Sequence, residues 1–594
     1  MKEKSGQAIK QEAQTEKQTE FKPYIPADKV MAELSITSIV TGVILAIVFG
    51  GANAYLGLRV GMTVSASIPA AVVSMGVIRI LLKRNSILES NMVQTIGSAG
   101  ESVAAGAIFT LPVLFMWGSE GRSENPNYLE LTLICAAASI LGILFMIPLR
   151  NVLIVKEHYK LPYPEGTACA RVLLAGEEKK SGAGLVFVGM LLAAVYKYIA
   201  DGLKWFNSRI HFEINRLKGA ALGIDVLPAL ISVGYICGIK ITSYMFAGGI
   251  VSWMVLMPLI SMFGSERILY PGTELIGMMD SNALWSNYIR YIGAGAVAAA
   301  GIISLIKSIP TIVGAFSESV RQKDKTRSEN IRTQKDINGK VIVIVIAVIS
   351  VILWISPVVP INLAGMIVIL LFGFFFATVS SRMVGLVGSS NNPVSGMTIA
   401  TLIFTAFILK MSGMGTMEAM TGTIVVGSII CIIAALAGDT SQDLKTGYIL
   451  GATPYKQQIG EMIGVLVSSL AISGVLYLLS QAWGYGSDEL PAPQATLMKL
   501  VVEGVMEGNL PWNLIIIGAA LAAAVELMGI SALPFAVGMY LPIHLSAGIM
   551  LGGVIRFFID KYKETLSERG ILFASGMIAG EGLVGILLAV MEVL

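Results

Sequence analysis

The chain has 594 residues, 55% of them hydrophobic and only 14% charged, with a positive mean hydropathy. A soluble chain carries about 25% charge, and the net charge of +3 is too small to argue for a nucleic-acid partner. The apolar residues come in runs of about 18 or more, long enough to cross roughly 30 Å of hydrocarbon, whereas a β-barrel would show short alternating segments.

These runs predict an all-α polytopic membrane protein with about sixteen transmembrane or re-entrant helices. In chain order the candidates are 36–58, 60–82, 92–117, 129–149, 184–203, 221–240, 243–263 and 291–310, then 341–356, 361–380, 394–411, 420–437, 459–480, 513–530, 533–556 and 571–592. The first 20 residues lack the apolar core of a signal peptide and read as a disordered part of a polar cytoplasmic tail, 1–34. A basic linker, 321–340, divides an N-terminal membrane half (35–320) from a C-terminal one (341–594). Lys and Arg in short loops mark the cytoplasmic side. They place the tail, the Lys83-Arg84 turn, Arg150–Lys160 and the linker inside, and the acidic segments 119–130 and 481–510 outside. Sixteen full crossings would leave the basic turn Arg556–Arg569 outside, against this rule.

One stretch breaks the apolar pattern. Gly385–Thr398 places two Asn, three Ser and a Pro between apolar segments. Every backbone polar group in lipid needs a partner within the protein, and Pro393 removes a donor and disfavours helix at Asn392. A broken or re-entrant helix lining a polar cavity is expected, and such breaks hold substrate in transporters. Met92-Val93 with Gly97-Ser98 repeats Met383-Val384 with Gly388-Ser389 at the same spacing, so 94–106 is expected to be a second break. Gly61-Met62 with Gly76–Arg79 matches Gly538-Met539 with Gly553–Arg556. Ala-Gly-Glu follows each, ending at Glu101 and Glu581.

An ionisable residue within an apolar span costs about 2.5–3.5 kcal/mol on insertion scales. Glu101, and with it Glu581, is a candidate proton-coupling carboxyl, the alternative being a Glu that caps a helix terminus; Glu526 is a third intramembrane carboxyl. Ser389, Ser390, Asn391 and Asn392, with Gln94 and Ser98, are candidate substrate-binding residues, as neutral partners for amides. Leu161–Ala170 (Leu-Pro-Tyr-Pro-Glu-Gly-Thr-Ala-Cys-Ala) is a turn into the membrane. Its Tyr163 and Glu165 either face substrate or anchor the turn. Gly438–Gln458 is either a cytoplasmic turn or a polar gate, with Asp439 and Lys445 paired and Tyr448 beside them. The four Cys read as buried thiols, and the three His make no metal-binding spacing.

Three motifs together resemble the oligopeptide transporter (OPT) superfamily, prokaryotic and yellow stripe-like branch. They are 161–170, Asn392–Thr398 and Asp443-Leu444-Lys445-Thr446-Gly447-Tyr448, and the segments 536–556 and 568–585 look like the same group. The Lys-Ile-Pro-Pro-Arg stretch of the plant and fungal peptide branch is absent. The resemblance implies a proton-coupled secondary transporter in the cytoplasmic membrane, without cofactor, acting on small peptides or metal chelates such as nicotianamine complexes. A homodimer is a further expectation. The rival classes are a passive channel, which would not concentrate its solute, and a membrane-embedded enzyme, which would need a base-and-nucleophile set; only His544 lies within a span.

Overall fold

Ile36–Val60 forms the first long helix, α1, because Ser35 and Ser38 cap each other reciprocally at its start and Gly61, at φ 78°, ends it. The computed structural model describes residues 21–593 except 62, 64, 82, 84–85, 179–182, 215–216, 273, 298, 301, 304–305, 308–330, 357–358, 360, 390–391, 393, 488, 509–510 and 564–565. Among the described residues, eleven helices are long and apolar enough to cross a membrane, or twelve counting one bent pair. The chain is an all-α polytopic membrane protein, with one two-stranded sheet outside the helices.

The first group is α1, the short α2 (Ser67–Met75), α3 (Ile87–Ala107) and α4 (Pro112–Ser119). Candidate 60–82 is no full crossing: its helix α2, with the wider turn Gly76–Leu81, starts with Ala66 on Glu101, at the level where Gly50 of α1 meets Gly100, ten residues before α1 ends. The expected break at 94–106 is also absent. α3 runs unbroken through it and bends by 42° only at 108–111, before Pro112. Gln94–Gly106 contains no Pro, and its Gly residues serve close packing instead: Gly100 lies directly on the Ala46 carbonyl of α1.

The second group is α5 (Tyr128–Met146), α6 (Pro164–Glu178), α7 (Ala183–Lys197), the hairpin β1 (Arg209–Glu213) and β2 (Ala221–Asp225), α8 (Pro228–Ile250) and α9 (Met257–Gly264). Candidates 221–240 and 243–263 are not two separate crossings. The first begins as strand β2, and α8 reverses at Gly238, whose φ 79° and ψ 166° are outside the helical range.

The C-terminal half contains α10 (Gly339–Ile355), α11 (Leu363–Val387), α12 (Val394–Met411), α13 (Thr416–Leu450), α14 (Pro454–Ala482) and α15 (Pro493–Met506). It closes with α16 (Trp512–Leu527), α17 (Ala532–Tyr540), α18 (Ile543–Lys563) and α19 (Ser567–Val593). The break in Gly385–Thr398 is real: α11 stops at Val387, Gly388 has φ 85°, and α12 restarts at Val394. Ser390 and Asn391 lie outside the described residues. α13 is the central helix, buried along nearly its whole length. Its 35 residues span about 50 Å at 1.5 Å each, so the polar segment 438–447 continues the helix and is not a turn.

The basic turn 556–569 also finds its place. α2 runs antiparallel to α3, since Ala66 faces Glu101 and Ala70 faces Gly97. α6 runs parallel to α2, with Cys169 on Ser67 and Gly176 on Met75. α7 therefore sets out from the end where α2 and α6 finish. α19 lies parallel to α7, Gly576 on Val186 and Gly580 on Met190. The turn before α19 thus shares the end of the N-terminal segment, in keeping with its charge. Full-length candidates that prove to be half-length elements remove the conflict.

Candidate functional site

α3 and α13 pack antiparallel, each with a polar stripe at helical spacing. On α3 the stripe is Gln94, Ser98, Glu101 and Ser102; on α13 it is Asp439, Gln442, Asp443 and Thr446. Gln94 Nε2 and Ser98 Oγ each donate to Asp443 at 2.5 Å, and Ser102 Oγ donates to Asp439 at 2.7 Å. α14 completes the layer. Gln457 Nε2 donates to the Asp443 carbonyl at 3.0 Å and to Thr95 Oγ1 at 3.1 Å, and the Glu461 carboxyl faces Asp443.

Glu101, Asp443 and Glu461 are buried, and Asp439 is partly so. Among the described residues, no Lys, Arg or His lies within 4.0 Å of any of these four carboxyls. The nearest cation in sequence, Lys445, turns away: its Nζ donates to the His158 and Leu161 carbonyls, 3.0 Å each, above the Tyr163 ring. The expected Asp439–Lys445 pair is therefore absent. Six residues along a helix put two side chains about 240° apart, so Asp439 faces α3 and Lys445 faces the 157–163 turn. Tyr448 stacks on Phe21 at that end, 5.0 Å between ring centroids.

One helix start and the backbone of the α11–α12 break point into the layer, and each already holds a carboxylate of the protein. Glu101 Oε2 accepts the Ala66 N–H at 2.5 Å, at the head of α2. Glu165 Oε2 accepts the Ser389 N–H at 2.9 Å, beside the α11–α12 break. Asn392 Nδ2 donates to Ser380 Oγ at 2.7 Å, and Gly438 of α13 leaves room for that contact. The Tyr163 hydroxyl is spent on the Ser381 carbonyl. In this layer three buried acceptors remain without a partner among the described residues: Gln94 Oε1, Asn392 Oδ1 and Glu461 Oε1. Buried polar atoms of this kind normally bind water or ligand.

Glu581 and Glu526 stand apart from this layer. Glu581 Oε2 accepts the Ala229 N–H at 2.7 Å, capping the first half of α8, with Lys197 at 3.9 Å. Glu526 accepts the Ala532 N–H at 2.8 Å and pairs with Lys307. Glu461 and Ser102 join the site only in the fold. Glu461 is less legible than Glu101: it stands third in the candidate span 459–480, just after Lys456, Gln457 and Gln458, where a carboxyl reads as flanking the apolar run.

A sequence profile described as "OPT oligopeptide transporter protein" matches residues 33–592. The chain belongs to the OPT family. OPT members are transporters, not enzymes, so the polar layer lies in a multi-pass membrane transporter. A Haemophilus influenzae protein named "Putative oligopeptide transporter" is 32% identical, over 90% of this chain and 92% of its own length. More distant OPT relatives are plant proteins. "Probable metal-nicotianamine transporter YSL11" of Oryza sativa subsp. japonica is 24% identical, over 94% of this chain and 87% of its own. "Metal-nicotianamine transporter YSL3" of Arabidopsis thaliana is 23% identical, over 92% and 89%.

Proposed function

We propose that this OPT protein is a proton-coupled symporter of small peptides, or of metal chelates built from amino acids, across the cytoplasmic membrane. The observation that carries the reading is the gathering of Glu101, Asp439, Asp443 and Glu461 with no neighbouring cation among the described residues. Like charges this close and this poorly hydrated are costly. Protons, or the ammonium and amide N–H groups of a substrate, relieve that cost. Glu101 and the Asp443–Glu461 pair bind protons, and the substrate's donors reach Gln94 Oε1, Asn392 Oδ1 and Glu461 Oε1. The backbone N–H groups of Ala66, at the head of α2, and of Ser389, in the α11–α12 break, receive a substrate carboxylate only if Glu101 or Glu165 withdraws. The end that carries the N-terminal segment and the basic turns faces the cytoplasm.

The test is uptake into liposomes under an imposed pH gradient, after a thermal-shift screen of di- to hexapeptides against metal–nicotianamine complexes. Binding to the folded state raises the melting temperature by mass action. Accumulation that follows the gradient supports symport. Equilibration without accumulation would leave a facilitator or channel. A response to chelates alone would move the substrate to the class named for the plant relatives.

A further inference from the structure

We propose that residues 21–34 form the inner gate of the transporter, and that transport requires the bonds of Ala32 and Glu33 to break and re-form. The proposal rests on the transport reading above and adds residues that no part of the polar layer contains.

The segment is tied to the same three helices that carry the layer. Tyr24 N–H and Ile25 N–H donate to the Ile449 and Leu450 carbonyls, 3.0 Å each, at the end of α13. Gly451 follows, at φ 82°, with the Ile25 carbonyl so close that a Cβ would come within 2.1 Å of it. Glu33, with a side chain fully buried, accepts from Thr453 N–H at 2.8 Å and from Thr453 Oγ1 at 2.7 Å, at the start of α14. Lys456 and Arg332 approach the same carboxylate at 3.3 and 3.4 Å. Ser86, the N-cap of α3, donates through Oγ to the Ala32 carbonyl at 2.8 Å. Arg332 also grips the segment's backbone at Pro26 (3.1 Å) and Ala27 (3.3 Å).

The position and the chemistry of the segment make it a gate rather than a brace. Opening the layer toward this end means parting α3 from α13 and α14, and residues 24–33 bridge all three. The bridge consists mainly of hydrogen bonds and ion pairs at a rim where Lys456 is 35% exposed. Opening at this rim brings water to Glu33, Thr453, Lys456 and Arg332 together, so each bond that breaks is replaced by one to water and the segment can open locally.

The experiment replaces Ala32 and Ser86 by Cys, with Cys135, Cys169, Cys237 and Cys431 changed to Ser, and joins the new pair by a short bis-thiosulfonate linker that dithiothreitol removes. Uptake should fall by about tenfold or more when linked and return on reduction. Full uptake by the linked protein overturns the gate while leaving the transport reading intact. If neither form takes up any substrate offered, the substrate reading fails, and a second measurement decides the gate by itself. Glu33→Ala should speed labelling of the buried native Cys169, one turn from the Gly166–Gln442 contact, by a membrane-impermeant maleimide applied to this end. Labelling as slow as wild type counts against the gate.

Discussion

Ser98 Oγ donates to Asp443 Oδ2 at 2.5 Å, although 345 residues separate the two in sequence. This contact ties α3 to α13, and Gln94 doubles it on the other carboxylate oxygen. A buried acceptor held by two donors has little freedom to change partners. Replacing Asp443 by Asn sets an amide donor against one of those donors, at a cost of about 1–3 kcal/mol. Asp443→Asn should therefore lower the melting temperature and abolish uptake, whereas Ser98→Ala, which removes one donor only, should cost less on both readouts. Equal effects of the two variants in a proteoliposome assay would argue against this ranking.

Glu101 separates two roles that the sequence left open, because its carboxylate both caps Ala66 and lies among other carboxyls. Gln keeps an oxygen acceptor for the cap and loses the exchangeable proton. Glu101→Gln should retain its folded state and substrate exchange between equal pools, yet lose accumulation driven by a pH gradient. Wild-type accumulation in this variant would remove Glu101 from the coupling mechanism.

Close helix packing makes a sharper stability test. At Gly100 a Cβ would stand 2.0 Å from the Ala46 carbonyl oxygen, so α1 and α3 must move apart. Overpacking of this sort typically costs about 1–3 kcal/mol, and Gly100→Ala should melt several degrees lower. Gly184→Ala on α7, where nothing lies within 4 Å, should melt at the wild-type temperature or above.

His158 lies in the turn before α6, and burial, followed by the charge of Lys445, lowers its pKa from 6.5 to about 4. Between those values the unfolded chain binds a proton that the folded chain refuses. Stability from this residue is therefore complete above about pH 6.5 and is lost as pH falls toward 4. His158→Gln should flatten that part of the melting-temperature profile; an unchanged slope would assign it to other groups.

The sequence by itself determined the class of protein, the family motifs and the presence of one true break. Those depend on local chemistry: run length against bilayer thickness, Pro393 in an apolar neighbourhood, and the string Leu-Pro-Tyr-Pro-Glu-Gly. The periodic stripe on α13 was equally readable, but not what it faces. Only tertiary packing decided that Asp439 bonds Ser102 rather than Lys445, that Glu461 joins Asp443, and that Glu581 caps α8 well away from the layer. Only packing showed that 94–106 is continuous helix, since polar residues on one face need no break when a neighbouring helix satisfies them. Sequence period fixes the angle of a side chain about its own helix. Which partner meets it depends on the direction and offset of two helices hundreds of residues apart, and those are set by where small residues such as Gly100 and Gly576 let backbones touch.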